Sequence, residues 1–65
     1  MTIKYDNETD AIYVIFSNER VIESEEQSKD VIVDYNSKDE VVAIEILHVK
    51  ENEHKIDLPF VLKSA

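Results

Sequence analysis

Two carboxylates on neighbouring predicted strands are the first residues in this chain that could do chemistry. Asp34 and Glu45 stand among aliphatic residues, and side-chain alternation places both on the same face of the predicted sheet. Paired carboxylates can bind a metal ion or transfer protons when burial perturbs them. The sequence favours a simpler interpretation, in which both groups belong to the solvated side of a half-buried sheet.

The histidines form the second candidate. His48 and His54 are six residues apart and have acidic residues around them. Zinc sites on a helix use closer spacings such as i and i+4, so we interpret both residues as solvated loop histidines. A weak metal-assisted enzyme using Asp34, Glu45 or His48 therefore remains only an alternative hypothesis.

An alternating acidic segment near the start resembles half of a calcium-binding loop. Asp6, Glu8 and Asp10 fit its first positions, but the template needs glycine at the sixth position and glutamate at the twelfth. The chain has Ala11 and Ser17 there. We therefore expect a hairpin loop in which aspartate and asparagine side chains bond to nearby backbone groups.

Composition excludes several classes of function. The chain has 65 residues, no cysteine, no glycine and a formal net charge of −8. It cannot form a disulfide, a thiol nucleophile or a glycine-rich phosphate loop, and no serine has the glycine-flanked context of a nucleophile elbow. We expect a protein that is not an enzyme and has no catalytic residues, bound metal or cofactor.

The distribution of charged and apolar residues limits the classes of partner and the cellular location that we expect for this chain. The seven basic residues are scattered singly, which argues against nucleic-acid binding. The longest apolar stretch, Ala11 to Phe16, is far shorter than the roughly 20 residues of a membrane-spanning helix. No basic region followed by an apolar run stands near the N-terminus, so the expected location is cytoplasmic.

Short apolar runs at spacings near ten predict consecutive β-strands. The predicted strands are Thr2–Tyr5, Ala11–Phe16, Val21–Glu26, Val31–Tyr35 and Val41–His48. Links of four or five residues suit hairpins, so we expect a single mainly β domain (β or α+β) over residues 1–65. The expected architecture is a small antiparallel β-meander of four or five strands. Residues 56–65 would pack on one face as a short helix or an extended strap.

Side-chain alternation predicts the register of the last hairpin. The expected pairs are Val33 with Ile44, Val31 with Ile46, and Tyr35 with Val42. This register gathers all six apolar side chains on one face, whereas a slip by one residue would set Val31 against Glu45.

The first hairpin follows the same rule, with Ile3 and Tyr5 on the side of Ile12, Val14 and Phe16. The second strand is apolar on its other face as well, through Ala11, Tyr13 and Ile15. A strand that is apolar on both faces is expected to be covered on both faces. The cover would be the C-terminal segment or a second copy of the chain, and dimerisation is a reasonable expectation for so short a sheet.

Three segments together resemble a known family. The opening "IKYDNETDAIYVIF", the link "VIESEE" and the middle "VIVDYNSKDEVVAIEIL" are similar to the DUF2283 family of small prokaryotic proteins of unknown function. The resemblance covers about Ile3 to Leu47 and implies a single small β-rich domain. It implies no activity, cofactor or catalytic residue.

This sequence departs from the family pattern at two positions. Members usually have glycine in the last hairpin loop and again just before "IEIL", where this chain has Asp39 and Ala43. Aspartate tolerates the left-handed backbone conformation better than most residues, so the turn can form with some strain. Ala43 adds a methyl group to the face that carries Asp34 and Glu45.

The leading hypothesis for function is a small non-catalytic protein-interaction module that is homo-oligomeric. Its partner is then a homodimer mate or another protein. The acidic balance supports an alternative, an antitoxin-like partner of a small basic protein.

Overall fold

The computed structural model describes residues 1–52, which form one five-stranded antiparallel sheet and a short helix. The strands are β1 (Thr2–Asp6), β2 (Ala11–Ile15), β3 (Glu23–Ser28), β4 (Val31–Tyr35) and β5 (Val41–Ile46), followed by α1 (Val49–Asn52). The expectation of a mainly β, antiparallel fold is confirmed.

The order of the strands differs from a simple meander. The sheet runs β1-β2-β5-β4-β3, so β5 lies between β2 and β4, and the connection from β2 to β3 crosses to the far edge. The physical reason lies in the sequence of β3, ESEEQS, whose first five residues are exposed. At an edge of the sheet, its three glutamates stay in solvent and avoid the free-energy cost of burying charge. Charged side chains on an edge strand also discourage aggregation.

Some strand boundaries also differ from expectation. The third strand begins at Glu23 rather than Val21. Val21 and Ile22 precede the strand and are exposed. The second strand ends one residue early, at Ile15. The fifth ends at Ile46 because the chain then turns into α1.

A compact aliphatic cluster occupies one face of the sheet, called here the core face. Its members are Val14, Val31, Val33, Ile44 and Ile46, all at most 5% exposed. These are β-branched residues from the three central strands, a composition that packs well on a pleated surface. The opposite surface, called here the carboxyl face, holds Asp34 and Glu45.

The predicted register of the last hairpin is confirmed at two of its three pairs. Val33 pairs with Ile44 and Val31 with Ile46, as alternation requires. A β-bulge then shifts the register between Asp34 and Tyr35, so Tyr35 pairs with Val41 rather than Val42. The bulge lies next to the loop, where its extra residue interrupts few of the backbone hydrogen bonds between the two strands.

The first hairpin also has the predicted pairing, with Ile3 opposite Val14 and Tyr5 opposite Ile12. The backbone N–H of Glu8 donates to the Asp6 carboxylate at 2.9 Å, which confirms the expected side-chain-to-backbone turn. On the other face of β2, Ala11 is fully buried, and Tyr13 and Ile15 are partly buried. The predicted cover by residues 56–65 or by a second copy stays a prediction.

Left-handed backbone occurs at four non-glycine residues among the described ones. They are Asp10, Asp30, Asp39 and His48, with φ between 51° and 63°. At Asp39, φ is 60° and the N–H donates to the Asn36 carbonyl at 3.1 Å. Asp39 thus occupies the left-handed position of a three-residue hairpin loop, where glycine is favoured.

The predictions for residues 56–65, helix or strap, and for His54 lie outside the described residues. Within residues 1–52 there is no helix with the length and apolar character needed to cross a membrane.

Candidate functional site

The carboxyl face carries the pair singled out from the sequence. Asp34 lies opposite Ala43, and Glu45 lies opposite Ile32, so the two carboxyl groups are diagonal neighbours on β4 and β5. Asp34 is only 6% exposed. The interpretation that both groups belong to a solvated surface is therefore wrong for Asp34, because β4 lies inside the sheet between β3 and β5.

Two hydrogen bonds satisfy the buried Asp34 carboxylate. The Ser24 hydroxyl, directly opposite on β3, donates to Asp34 Oδ1 at 2.6 Å. The Glu45 carboxyl group supplies a second hydrogen bond. Buried carboxylates need such donors, since an unsatisfied buried charge is costly. The sequence offered no signal for Ser24, because its role depends on which strand lies beside β4.

Glu45 is the group whose protonation this arrangement changes. Burial, the hydrogen bond with Asp34 and the nearby Asp34 charge together raise the pKa of Glu45 from 4.5 to about 7. When Glu45 is protonated, its hydroxyl can donate a hydrogen bond to Asp34. Glu45 therefore gains or loses its proton near neutral pH, a property that general acid–base catalysis also uses.

Among residues 1–52, the residues next to Glu45 in register are aromatic or aliphatic. Tyr13 lies opposite Glu45 on β2, and the other immediate neighbours in register are Ile32 and Ala43. Within residues 1–52, no three histidine or acidic side chains group in a way that could hold a metal ion. The pair thus supplies a proton-sharing contact between two strands.

His48 lies apart from this pair and contacts Asp30 instead. Its Nδ1 is 3.0 Å from Asp30 Oδ1, and its side chain is 58% exposed. The hydrogen bond to Asp30 is the main cause that raises the pKa of His48 above its usual value. The Asn52 amide donates to the other Asp30 oxygen, at 2.5 Å, so Asp30 ties β5 and α1 to the β3–β4 turn.

Asp10 makes the corresponding connection from the β1–β2 turn. Its carboxylate accepts the Tyr5 hydroxyl at 2.7 Å and the Lys50 backbone N–H at 3.1 Å, while its carbonyl accepts the Val49 N–H. The hydrogen bond from Tyr5 is the main cause that lowers the pKa of Asp10. Asp10 and Asp30 therefore both hold the junction between β5 and α1. The calcium-loop spacing did not predict this structural role of Asp10.

The outer edge of β1 is the most exposed apolar part of the sheet. Ile3 is 62% exposed and Tyr5 is 45% exposed, and both lie on the core face, opposite the buried Val14 and the partly buried Ile12 of β2. No strand lies along the outer side of β1 within residues 1–52. The sequence predicted the strand but not its edge position, which depends on the strand order.

The other edge has the opposite character. Strand β3 carries Glu23, Glu25 and Glu26, and the first two line a shallow depression of about 310 Å³ with Tyr35 and Asp39. A bulge between Glu26 and Ser28 interrupts its pairing with β4. Charge and irregularity are the features that blunt a sheet edge against further pairing.

These features define a small single-sheet antiparallel β protein with one apolar edge, one acidic edge and a carboxyl pair between them. The model of the family DUF2283, a protein of unknown function, matches residues 2–50. The match spans most of the 65 residues, so the chain belongs to the DUF2283 family, and the resemblance seen in the sequence is confirmed. The comparisons found no matching curated protein and no matching solved structure. The family has no assigned activity.

Proposed function

We propose that this chain is a small non-catalytic protein-interaction module and that the outer edge of β1 is its binding element. The observation that carries the proposal is the exposure of Ile3 and Tyr5, at 62% and 45%, on a strand with no neighbour on its outer side within residues 1–52. An extended segment added to such an edge gains main-chain hydrogen bonds and side-chain contacts together.

The contrast between the two edges supports β1 over β3. Both edges offer backbone groups, but β3 surrounds them with glutamates and interrupts its pairing by a bulge. Strand β1 is regular over all five of its pairs with β2 and includes one lysine and one aspartate. A regular edge with apolar side chains is the kind that pairs with another chain.

The carboxyl pair belongs to this proposal as a structural contact rather than a catalytic one. Asp34 and Glu45 satisfy each other's hydrogen bonding, and His48 is engaged with Asp30. The proposal includes the cytoplasmic location expected from the sequence, which a chain without cysteine suits.

The test is capture of binding proteins from an extract of the source organism, read by mass spectrometry. Ile3→Lys is expected to lose the proteins that wild type captures, because a lysine replaces the most exposed apolar residue of β1. Gln27→Lys is the matched control, since it adds the same single charge to the β3 edge. Gln27→Lys is expected to retain the same proteins as wild type, including copies of this chain. Retention of the same set by Ile3→Lys would contradict the proposal.

A second candidate function is an acidic partner of a small basic protein. The depression lined by Glu23, Glu25, Asp39 and Tyr35 favours it, since three carboxylates beside an aromatic ring suit a cationic side chain. Binding would then depend steeply on ionic strength and fail in Glu25→Lys while surviving Ile3→Lys. Salt-insensitive capture that depends on Ile3 would exclude this candidate.

A further inference from the structure

We infer that the occupant of the β1 edge is the β1 strand of a second copy, antiparallel to the first, with Ile3 on the two-fold axis. This inference rests on the proposed function, since it names the partner of the same edge. The resulting dimer would have one continuous ten-stranded sheet.

The direction of the β1 backbone groups follows from the hydrogen bonds of β2. Phe16 donates its N–H to the Val42 carbonyl, toward β5. Backbone groups of successive strand residues point to alternate sides, so Ile15 and Tyr13 point toward β1. They pair with Thr2 and Lys4, which leaves the N–H and C=O of Ile3 and Tyr5 directed outward.

Only a few two-fold registers let these outward groups bond to each other. A register centred on Lys4 sets two lysines directly opposite each other, which is destabilising. A register centred on Tyr5 runs into Asn7, where the strand has already ended and the Asp6 carboxylate holds the turn. The register centred on Ile3 uses the strand over its straight part.

The side chains of the Ile3-centred register are complementary on both faces. On the core face Ile3 meets Ile3 of the other copy, and Met1, which is 68% exposed, meets Tyr5. On the opposite face Thr2 meets Lys4, so no like charges lie directly opposite each other. The pairing therefore brings Met1, Ile3 and Tyr5 of the two copies into contact with each other.

The acidic edge explains why this arrangement closes at two copies. A second β3 strand placed against β3 would bring glutamates together, and the bulge after Glu26 breaks the register. Pairing β1 with β3 of another copy would be head-to-tail and would grow without closing. The two-fold β1 contact uses one edge of each copy and leaves the acidic edges outermost.

The absence of cysteine makes single-cysteine cross-linking a direct test of the register. Directly opposite Cα atoms in a hydrogen-bonded antiparallel pair lie about 5.5 Å apart, within the range that a disulfide spans. We expect Ile3→Cys to form a covalent dimer under mild oxidation, and Lys4→Cys and Tyr5→Cys to form at least several-fold less. An equimolar mixture of Thr2→Cys and Lys4→Cys is expected to cross-link more than either variant alone.

Sedimentation of the cysteine-free protein supplies the second measurement. The mass of wild type and of Gln27→Lys is expected to rise toward that of a dimer with concentration, and Ile3→Lys is expected to remain monomeric. The circular dichroism spectrum and thermal melt of each variant show whether its fold is retained. Ile3→Ala, which adds no charge, serves if Ile3→Lys does not fold.

The outcomes separate this inference from the proposed function. Preferential cross-linking of Lys4→Cys or Tyr5→Cys would overturn the register. A monomeric wild type whose captured foreign protein is lost in Ile3→Lys would overturn the second copy but support the proposed function. If Ile3→Lys still self-associates and still captures the same proteins as wild type, both this inference and the proposed function would be overturned.

Discussion

Asp34 and Glu45 share a hydrogen bond across β4 and β5, on the face of the sheet opposite the aliphatic core. Asp34 is 6% exposed, so its side of the pair lies inside the sheet, and the pKa of Glu45 is raised to about 7. The Ser24 hydroxyl completes the arrangement from β3. Three adjacent strands are thus joined by side chains as well as by their backbones.

The first prediction concerns the pH dependence of stability. The pKa of Glu45 is about 7 in the folded chain, against 4.5 ordinarily, so its contribution is fully present below 4.5 and is lost as pH rises through about 7. We expect the free energy of unfolding to fall on the order of 1–2 kcal/mol between roughly pH 5 and 8, a figure reduced for partial exposure. Urea melts at a series of pH values measure it.

The control for this prediction is another carboxyl on the same face. The charged or titratable groups facing Glu45 are Asp34 from β4 and Tyr13 from β2, with Lys4 of β1 beyond Tyr13. Glu45→Gln should flatten the slope, whereas Glu26→Gln should leave it unchanged. An unchanged slope in Glu45→Gln would assign the effect to another group. His48 also contributes stability that is lost as pH rises, because its pKa is raised in the folded chain.

A second prediction tests the cause of the Glu45 shift. Replacing Asp34 by asparagine keeps the shape but removes the neighbouring charge. The pKa of Glu45 should then fall toward 4.5 without reaching it, because burial is the largest cause of the shift. Carbon-13 NMR titration of the Glu45 carboxyl measures this directly, and a midpoint that stays near 7 would mean that Asp34 contributes nothing.

A third prediction compares left-handed aspartates. Asp39→Gly should stabilise the fold by up to about 1 kcal/mol, because glycine removes the left-handed strain. Asp10→Gly should instead lower the melting temperature, since the Asp10 carboxylate holds Tyr5 and Lys50. Thermal melts of both variants decide it, and a lower melting temperature for Asp39→Gly would show that its side chain contributes something further.

A fourth prediction concerns Ser24. Ser24→Ala removes the hydroxyl that donates to Asp34 at 2.6 Å, and we expect a loss of about 1–3 kcal/mol because a buried acceptor loses its donor. Ser37→Ala, at an exposed loop position, is the matched control and should change stability by less than about 0.5 kcal/mol. Denaturant unfolding distinguishes them. Equal effects would remove the assigned role of Ser24.

The sequence predicted the features that depend on alternation and missed those that depend on strand order. The pairing of Val33 with Ile44 follows from period two alone. The glutamates of β3 suit its edge position, but the short link before β3 suggested a hairpin with β2. The burial of Asp34 and its contact with Ser24 depend on that order, so neither could be predicted.

The insertion of β5 between β2 and β4 has a consequence for how the chain folds. Until residues 41–46 join, the β1–β2 and β3–β4 hairpins have no strand in common and bury little of the aliphatic cluster. Isolated two-stranded hairpins are marginal in water. Cooperative folding must therefore wait for the fifth strand, whose contacts with β2 close a loop of more than two dozen residues. During synthesis the nascent chain is therefore expected to stay unfolded until the whole sheet has left the ribosome.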